Sequence, residues 1–582
     1  MNNKLYVVSV LVVILFWTSI TLSQDVPSVS ASLQGVVRSD AEGLMEGVLI
    51  RAKEAGGTIT VTVVSDAQGQ YRFPSNRLGS GTYQLSVRAA GYEVSGPAEV
   101  EVVASKTAQW DLKLMKTRDL VSQLMNAEWL LSVEMAGRKE NVDKLSGCVG
   151  CHSLTRVMTS KHDANSWPAV LQRMNTYGAG GQKLPYDIST HPNTKYSSAS
   201  RVDEEFAKYL SSINLSTDDK HAYDLKTFPR PTGHATRVVI TEYDLPIDGF
   251  EPHEVLVDPE GMVWTTDFVG PNMLRMNSAT GEFTAYEMPI LKPGFPPGNN
   301  TLHLDKTGSL WWTGLKQGGI YKFDTKTKKF SAWMLPTGHS LYSHNGCSAP
   351  SPDGTVWANE QYLPQIQQLH PDTGKYTVYE PFPEEMTIVP AINPQPQGIG
   401  FLGGGSTLGP DYAELEKAHS MYGCIVDSKG TYYVADIGAG YIMKIDPYTK
   451  AVTLYQTPTP NSGPRKIRID SQDRLWIGEY RAGKIAMFDT KTTEFNEWDL
   501  RTPYAGVYDA DIDKAGDVWS GGMHTDYLYR LDPDTGEVTK YLLPSVNVNI
   551  RNMGGVDNRT TPVSIWVGEN HQNKIARVEF LD

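Results

Sequence analysis

Cysteine is scarce in this chain, with four in 582 residues, so a small scaffold held together by many disulfides is excluded. Basic tracts are absent and the net charge is −13, which argues against nucleic acid as a partner. Helical periodicity is sparse, while glycine (52) and proline (35) are plentiful, which favours β architecture. Beyond the N-terminus no apolar run is long enough to cross a bilayer, so no membrane span is expected after leader cleavage. What the N-terminus does hold reads as that leader. Lys4 precedes an apolar run from Leu5 to Ile20, and Thr21-Leu22-Ser23 offers small residues for cleavage before Gln24. Residues 1–23 are therefore expected to be a signal peptide, and the protein periplasmic or secreted by bacterial export. An uncleaved anchor is the alternative, although the run is short for a span of about 20 apolar residues. No cysteine follows the run, so a lipid anchor is not indicated.

The length suggests three or four domains at about 100–200 residues each, fewer if one is a large all-β unit. Residues 31–115 alternate apolar and polar side chains between glycine turns, as in Ile59-Thr60-Val61-Thr62-Val63 and Tyr83-Gln84-Leu85-Ser86-Val87. Period two at short spacing predicts a small β-sandwich. The order Gly47-Val48, Asp66-Ala67-Gln68-Gly69-Gln70-Tyr71-Arg72-Phe73, Gly81-Thr82-Tyr83 and Ala90-Gly91-Tyr92 resembles the carboxypeptidase regulatory-like domain. That resemblance implies a transthyretin-like, non-catalytic spacer or adhesion module.

Residues 117–225 change character. Asp119 to Gly137 and Asp203 to Ile213 show helical spacing, with Phe206, Leu210 and Ile213 on one face. Between them lies Cys148-Val149-Gly150-Cys151-His152. This spacing lets two thiols add across the vinyl groups of one porphyrin and sets the adjacent His152 beneath the iron, so one covalently attached haem c is expected. Zinc is disfavoured because no second cysteine pair is at hand. After His152 the only methionines before the repeats are Met158 and Met174. Trp167 to Met174, followed by Tyr209-Leu210, resembles the corresponding stretches of short bacterial cytochrome c domains. That resemblance implies Met174 as sixth iron ligand, with a core methionine as the structural alternative and His162, His191 and His221 as alternative ligands.

Residues 237–582 repeat. A glycine three residues before an aromatic recurs at Gly261/Trp264, Gly308/Trp311, Gly354/Trp357, Gly430/Tyr433 and Gly516/Trp519, and Asp473/Trp476 and Val563/Trp566 fill the same slots. The aromatics step by 47, 46, 76, 43, 43 and 47 residues. A period of about 40–50 residues predicts four strands per unit and a β-propeller. Val238 to Pro246 matches the outer strand that the last repeat lacks, so six whole blades and one shared between the ends make seven. The fold class expected is mainly β: an N-terminal β-sandwich, a small α-helical cytochrome c domain and a C-terminal seven-bladed β-propeller. The long step holds an insertion, about Pro381 to His419, rich in glycine and proline and flanked by Cys347 and Cys424. Spacing leaves open whether those two pair.

Three residues after the markers stand Asp267, Gly314, Glu360, Asp436, Glu479, Gly522 and Glu569. The acidic ones form either a ring for a divalent cation (Mg or Ca) or separate turn caps. Eleven residues before the markers stand His253, Asn300, Gly346, Tyr422, Arg465 and Tyr508, with Asn552 nearest in the last repeat and His344 and His571 close to such positions. The repeats resemble virginiamycin B lyase, a streptogramin lyase. That resemblance implies a seven-bladed propeller that opens a cyclic ester by elimination, with magnesium, glutamates and a general-base histidine. The glutamate of the last blade falls on Glu569, whereas the histidine falls on Asn552; Glu251-Pro252-His253 offers a glutamate–histidine pair in another blade. Catalytic candidates are Glu569, His253, His571 and His344. Three readings follow: electron transfer between haem and a redox partner protein or a small-molecule substrate at the propeller; a lyase or lactonase with accessory haem; and a non-enzymatic surface binding protein.

Overall fold

The computed structural model describes residues 31–138, 141–187, 204–215, 220–361, 365–383, 386–391 and 419–581. The expected signal peptide, His191 and most of the insertion lie outside the described residues. The chain is mainly β, with an N-terminal β domain, a short helical stretch and a long series of antiparallel sheets.

The N-terminal domain faces two sheets across one apolar layer. Alternation along the strands sends Leu33, Val37, Ile50, Phe73, Leu85, Leu112 and Leu114 inward, where all are buried. One sheet centres on Ala31–Ser39, which pairs with Gln70–Leu78, Thr107–Gln109 and Leu112–Lys116. The other holds Ile59–Val64, Leu49–Glu54, Gly81–Arg88 and Glu99–Val102.

The second sheet does not stop at the domain. Its strand Ile59–Val64 pairs with Val238–Asp244, which pairs on its other side with the C-terminal strand Lys574–Phe580. Eight strands thus form one continuous sheet running from the N-terminal domain to the chain's last residues. Ion pairs Arg51–Glu242 (3.3 Å), Lys53–Asp244 (2.6 Å) and Arg77–Glu579 (2.7 Å) follow the seam.

The remaining sheets are meanders of four consecutive strands, beginning at Pro252–Val257, Asn299–Leu304, Asn345–Pro350, Met421–Val426, Pro464–Ile469 and Val507–Ile512. One gains a fifth strand, Thr387–Val389, from the described end of the insertion. First strands of successive sheets pack on one another, and Pro252–Val257 also packs on Ser564–Glu569 of the long sheet. The marker aromatics lie in the second strands and are at most 3 % exposed. The marker glycines turn into those strands at φ values of 82° to 97°, and Asp473 takes the same slot at 63°. A further repeat is an aspartate six residues before the tryptophan: Asp258, Asp305, Asp470 and Asp513 each accept the indole N–H of Trp264, Trp311, Trp476 and Trp519. Cys347 and Cys424 form a buried disulfide between two neighbouring first strands, with Cα atoms 5.7 Å apart.

The helical stretch differs from its expected bounds at one place. The spacing predicted a helix from Asp119, but the α-helix is Asn126–Met135. It starts there because the Glu128 carboxylate turns back to accept the Met125 N–H, which fixes the first turn. Glu204–Ile213 buries Phe206, Leu210 and Ile213, the face the spacing indicated. Both helices share a core with Trp129, Leu145, Leu154, Met158, Trp167 and Leu171.

Candidate functional site

Gly147–Gly150 is a single 3-10 turn, and the Cys151 and His152 N–H groups both reach the Cys148 carbonyl at 3.2 and 3.3 Å. At three residues per turn, Cys148 and Cys151 share one face, half-exposed, and both are thiols. The His152 Nδ1 lies 2.9 Å from the Ser153 carbonyl. A carbonyl only accepts, so Nδ1 carries the proton and Nε2 is the atom suited to bind a metal. A Cβ added at Gly147 or Gly150 would meet nothing within 4 Å, so there is room beside the turn. The Trp167 indole N–H is buried and has no hydrogen-bond partner, a donor in want of an acceptor. Two thiols on one face and an oriented imidazole are the donor set that a covalently held haem would need.

Met174 ends the helix Trp167–Met174 and is half-buried. His162 is exposed and its ring lies 5.3 Å from that of Trp167. His221 is committed elsewhere: its Nε2 bonds the Met158 carbonyl at 2.9 Å and its ring rests on Trp129.

The pentapeptide rests on the end of the sheet assembly where the first strands begin. Asn549 donates to the Val149 carbonyl (3.1 Å) and Arg551 to the Gly150 carbonyl (3.0 Å). Arg551 also bonds Asn549 (2.6 Å) and lies 3.4 Å from His571 Nε2. His571 is held well below the usual imidazole range by burial first, then by the charges of Arg551 and His152. Around the same end, Gln182 donates to the Phe268 carbonyl, Lys316 to the Tyr186 hydroxyl (3.1 Å), Ala127 to the His524 carbonyl (2.8 Å) and Tyr504 to Glu134 (2.5 Å). The helical stretch therefore covers this mouth, with the pentapeptide facing it.

Each residue of the set eleven before the markers is the second residue of its first strand. Pairing to the second strand is irregular near that point in all six meanders, as at Pro252/Glu254 and Val507/Asp509. Such irregularities re-aim side chains, here toward the axis. They build one buried polar network. Tyr422 bonds Tyr508, Tyr508 lies 3.3 Å from His253 Nε2, and His253 Nδ1 lies 2.6 Å from Glu254. Glu254 also pairs with Lys466 and accepts from Asn552. Burial raises the Glu254 carboxyl, but Lys466 and His253 outweigh it and bring it to about 2. Burial lowers His253 to about 3, against the pull of Glu254.

Two expectations change here, and Asn552, which already lacked the imidazole of the lyase resemblance, gains a structural role. The partner of His253 is Glu254, not Glu251, because the strand irregularity brings neighbouring residues together. Asn552, where the lyase resemblance puts a base, is a structural knot: its Oδ1 accepts from the Val255 and Gly554 N–H groups. The acidic residues after the markers end their second strands and do not converge; among the described residues no three His, Cys, Asp or Glu side chains are grouped to hold a metal ion. Asp267 accepts from the N–H groups of Glu251 and Val269; Glu360 accepts from Thr337, Ser343 and His344; and Asp436 accepts from Ser420, Gly438 and Ala439. Glu479 and Glu569 are fully buried and held well above the usual carboxyl range, by burial first and then by the neighbouring Glu497 and Glu242. His344 is buried and binds Glu360 through its backbone N–H.

Residues 32–115 match the carboxypeptidase regulatory-like domain family. Among solved structures, the chain is similar to a virginiamycin B lyase from Staphylococcus aureus at 20% sequence identity, over 59% of this chain and 99% of that one, with a TM-score of 0.46. It is similar to a streptogramin B lyase at 18% identity, over 60% and 100%, with a TM-score of 0.48. Both likenesses concern the fold alone. No curated protein matches.

Proposed function

We propose that this chain is an exported haem c protein, attached through Cys148 and Cys151 with His152 as iron ligand, whose redox chemistry serves a small molecule or partner at the mouth of a seven-bladed propeller. When bound, such a group supplies one-electron transfer at a potential set by its axial ligands and surroundings. The chain's own residues do the rest. Cys148 and Cys151 provide thiols on one face; Ser153 fixes the His152 tautomer; Met174 is the sixth-ligand candidate; Asn549 and Arg551 anchor the pentapeptide to the mouth. The observation that supports the reading is the Arg551 guanidinium, which bonds the Gly150 carbonyl and lies 3.4 Å from His571, joining the pentapeptide to the end of the sheet assembly. The seventh blade is the far part of the long sheet, closed by Val238–Asp244 on Lys574–Phe580. The Cys347–Cys424 disulfide supports an oxidising compartment.

The test is an oxidised and a reduced ultraviolet–visible spectrum of the full chain made in a host that matures c-type cytochromes, with the mass of the denatured protein. The reading expects a covalent haem and a reversible, low-spin change on reduction. A colourless chain with no added mass refutes it, as does a Cys148→Ala/Cys151→Ala chain that still carries a covalent haem.

A further inference from the structure

Three parts of the chain meet around a cavity of about 90 Å³. Arg51 and Arg88 come from the N-terminal domain, Met125 and Glu128 from the helical stretch, and Tyr527 and Leu542 from the sheets that follow. Pro229, also in the wall, is exposed and gives a ligand a way in from solvent.

Most polar groups of the wall already have their partners. Arg88 donates to Asp526 and to the Leu543 carbonyl, both at 2.6 Å, and Arg230 donates to Glu42 at 2.6 Å and to the Glu46 carbonyl at 2.9 Å. The Gln123 amide is used up between the Gly91 N–H and the Tyr92 carbonyl, both at 2.8 Å. Each Glu128 oxygen accepts one backbone N–H, Oε2 from Met125 at 3.0 Å and Oε1 from Phe228 at 2.6 Å. Two groups are left over. Tyr527 is 5 % exposed, and its hydroxyl makes no hydrogen bond among the described residues. Arg51 pairs with Glu242 through a terminal nitrogen at 3.3 Å, while its Nε is buried with no partner. A buried polar group left unpaired costs free energy, and both of these can donate.

Charge and size narrow what would satisfy them. The guanidiniums of Arg51, Arg88 and Arg230 are each answered by a carboxylate, so none of the three calls for an anion. An anion would also share the cavity with Glu128, whose carboxyl burial raises to about 7. Much of the remaining wall is apolar, with Val87, Phe228, Leu542 and Pro544. A dry cavity of about 150 Å³ takes benzene, so this smaller space takes a smaller body.

We propose that this cavity binds a small uncharged organic molecule with one acceptor oxygen, a short-chain ketone or alcohol, its oxygen on the Tyr527 hydroxyl and its carbons against the apolar wall. The site stands apart from the pentapeptide and does not rest on the function proposed above. Its occupant touches all three parts of the chain at once and, by binding only the folded state, stabilises their junction.

The experiment is saturation-transfer difference NMR of the full chain with 2-butanone, and with butyrate as a charged probe of similar size, in the wild type, Tyr527→Phe and Ala90→Leu. The first variant removes the hydroxyl and keeps the ring; the second fills the space. Melting curves confirm that each variant folds, and Val546→Leu serves if Ala90→Leu does not. Butanone is expected to bind the wild type and raise its melting temperature. Tyr527→Phe should weaken binding about fivefold, the scale of one hydrogen bond between uncharged groups, and the filled variant should lose it. Butyrate should bind about tenfold more weakly than butanone, because it carries an unanswered charge into the cavity. Butanone that receives no saturation at its highest soluble concentration overturns the proposal and leaves water as the occupant. So does an affinity that Tyr527→Phe or the filled variant leaves unchanged, and so does butyrate binding as tightly as butanone.

Discussion

The disulfide between Cys347 and Cys424 offers a perturbation whose size follows from chain length. It closes a loop across a sequence separation of 77 and spans the glycine- and proline-rich insertion. In the chain-entropy model a loop of that length restricts the unfolded state by about 4.5 kcal/mol at 25 °C. Both cysteines are 1 % exposed, so alanine at both positions leaves no unpaired hydroxyl and removes little apolar area. The sheets from Val238 to Phe580 hold about 340 residues, for which an unfolding entropy near 2.1 cal/mol/K per residue converts that energy to a fall of about 6 °C in Tm. The assay is differential scanning calorimetry of the wild type and of Cys347→Ala/Cys424→Ala, each with and without reductant. Reductant should lower the wild type toward the double variant and leave the variant unchanged. A double variant melting within about 1 °C of the oxidised wild type refutes the reasoning, because the crosslink would then not restrict the unfolded chain.

Three further outcomes are expected. His253, His303 and His524 are each lowered by burial to about 3, so the stability they contribute is full above their unfolded value of 6.5 and is lost as pH falls toward 3. Glu128, Glu251 and Asp511 are raised by burial to about 7 and act oppositely, since their penalty is relieved as pH falls from 7 toward their unfolded values. His571 acts with the histidines and Glu479 and Glu569 with the carboxyls, so the two sets oppose each other and the urea midpoint should show no steep fall from pH 7 to 5, then drop below about pH 4; a steep fall from 7 to 5 counts against this balance. Gly516→Ala should destabilise by about 1–2 kcal/mol in urea titration, because φ is 97° with nothing within 4 Å of the added Cβ, leaving backbone strain as the sole cost; an unchanged midpoint refutes it. A shortened chain beginning at residue 117 should self-associate in sedimentation runs, because it bares the edge of Val238–Asp244 that Ile59–Val64 covers, and a monodisperse monomer contradicts this.

The repeats were legible because each unit must meet the same local demands. A turn at positive φ wants glycine, the strand after it buries an aromatic, and in five of the seven units the strand ends on an acidic residue, which caps the next turn at Asp267 and Asp436. Those three positions recur at fixed offsets, so Gly261, Trp264 and Asp267 announce a unit without any knowledge of its neighbours. The closing strand was legible for the same reason: Val238 to Pro246 has the alternation of the strand missing from the last repeat, and Val238–Asp244 pairs with Lys574–Phe580. Its second partner was not legible, because alternation reveals which face of a strand is apolar but not what lies beyond its far edge. The mouth was half legible. Arg465 and Tyr508 appeared as strand-start residues, yet nothing in their spacing showed that one stacks on the other. Arg551 gave no signal, since its partners Gly150 and His571 come from different parts of the chain. The identity of His253's partner was hidden by an irregular register that no periodic reading supplies.

The continuous sheet bears on the site through rigidity. A spacer joined by a linker would leave the helical stretch free to move relative to the mouth. Here the chain leaves the N-terminal domain, forms the helical stretch, and returns to pair with that same domain at Val238–Asp244. Both ends of the helical stretch are thereby tied to the N-terminal domain, one following Leu112–Lys116 in its first sheet and the other leading into Val238–Asp244 on its second. Arg88 reinforces the tie from the N-terminal side, reaching Asp526 at 2.6 Å and the Leu543 carbonyl at 2.6 Å. The Asp526 carboxylate in turn accepts from the backbone of Asn547 and Val548, the residues that lead directly to Asn549 and Arg551. A chain of bonds thus runs from the regulatory-like domain, through Arg88 and Asp526, to the two side chains that hold Val149 and Gly150. The N-terminal domain is thus bonded to the segment whose side chains hold the pentapeptide. Its place in the molecule is better explained as a brace for that turn than as an appendage.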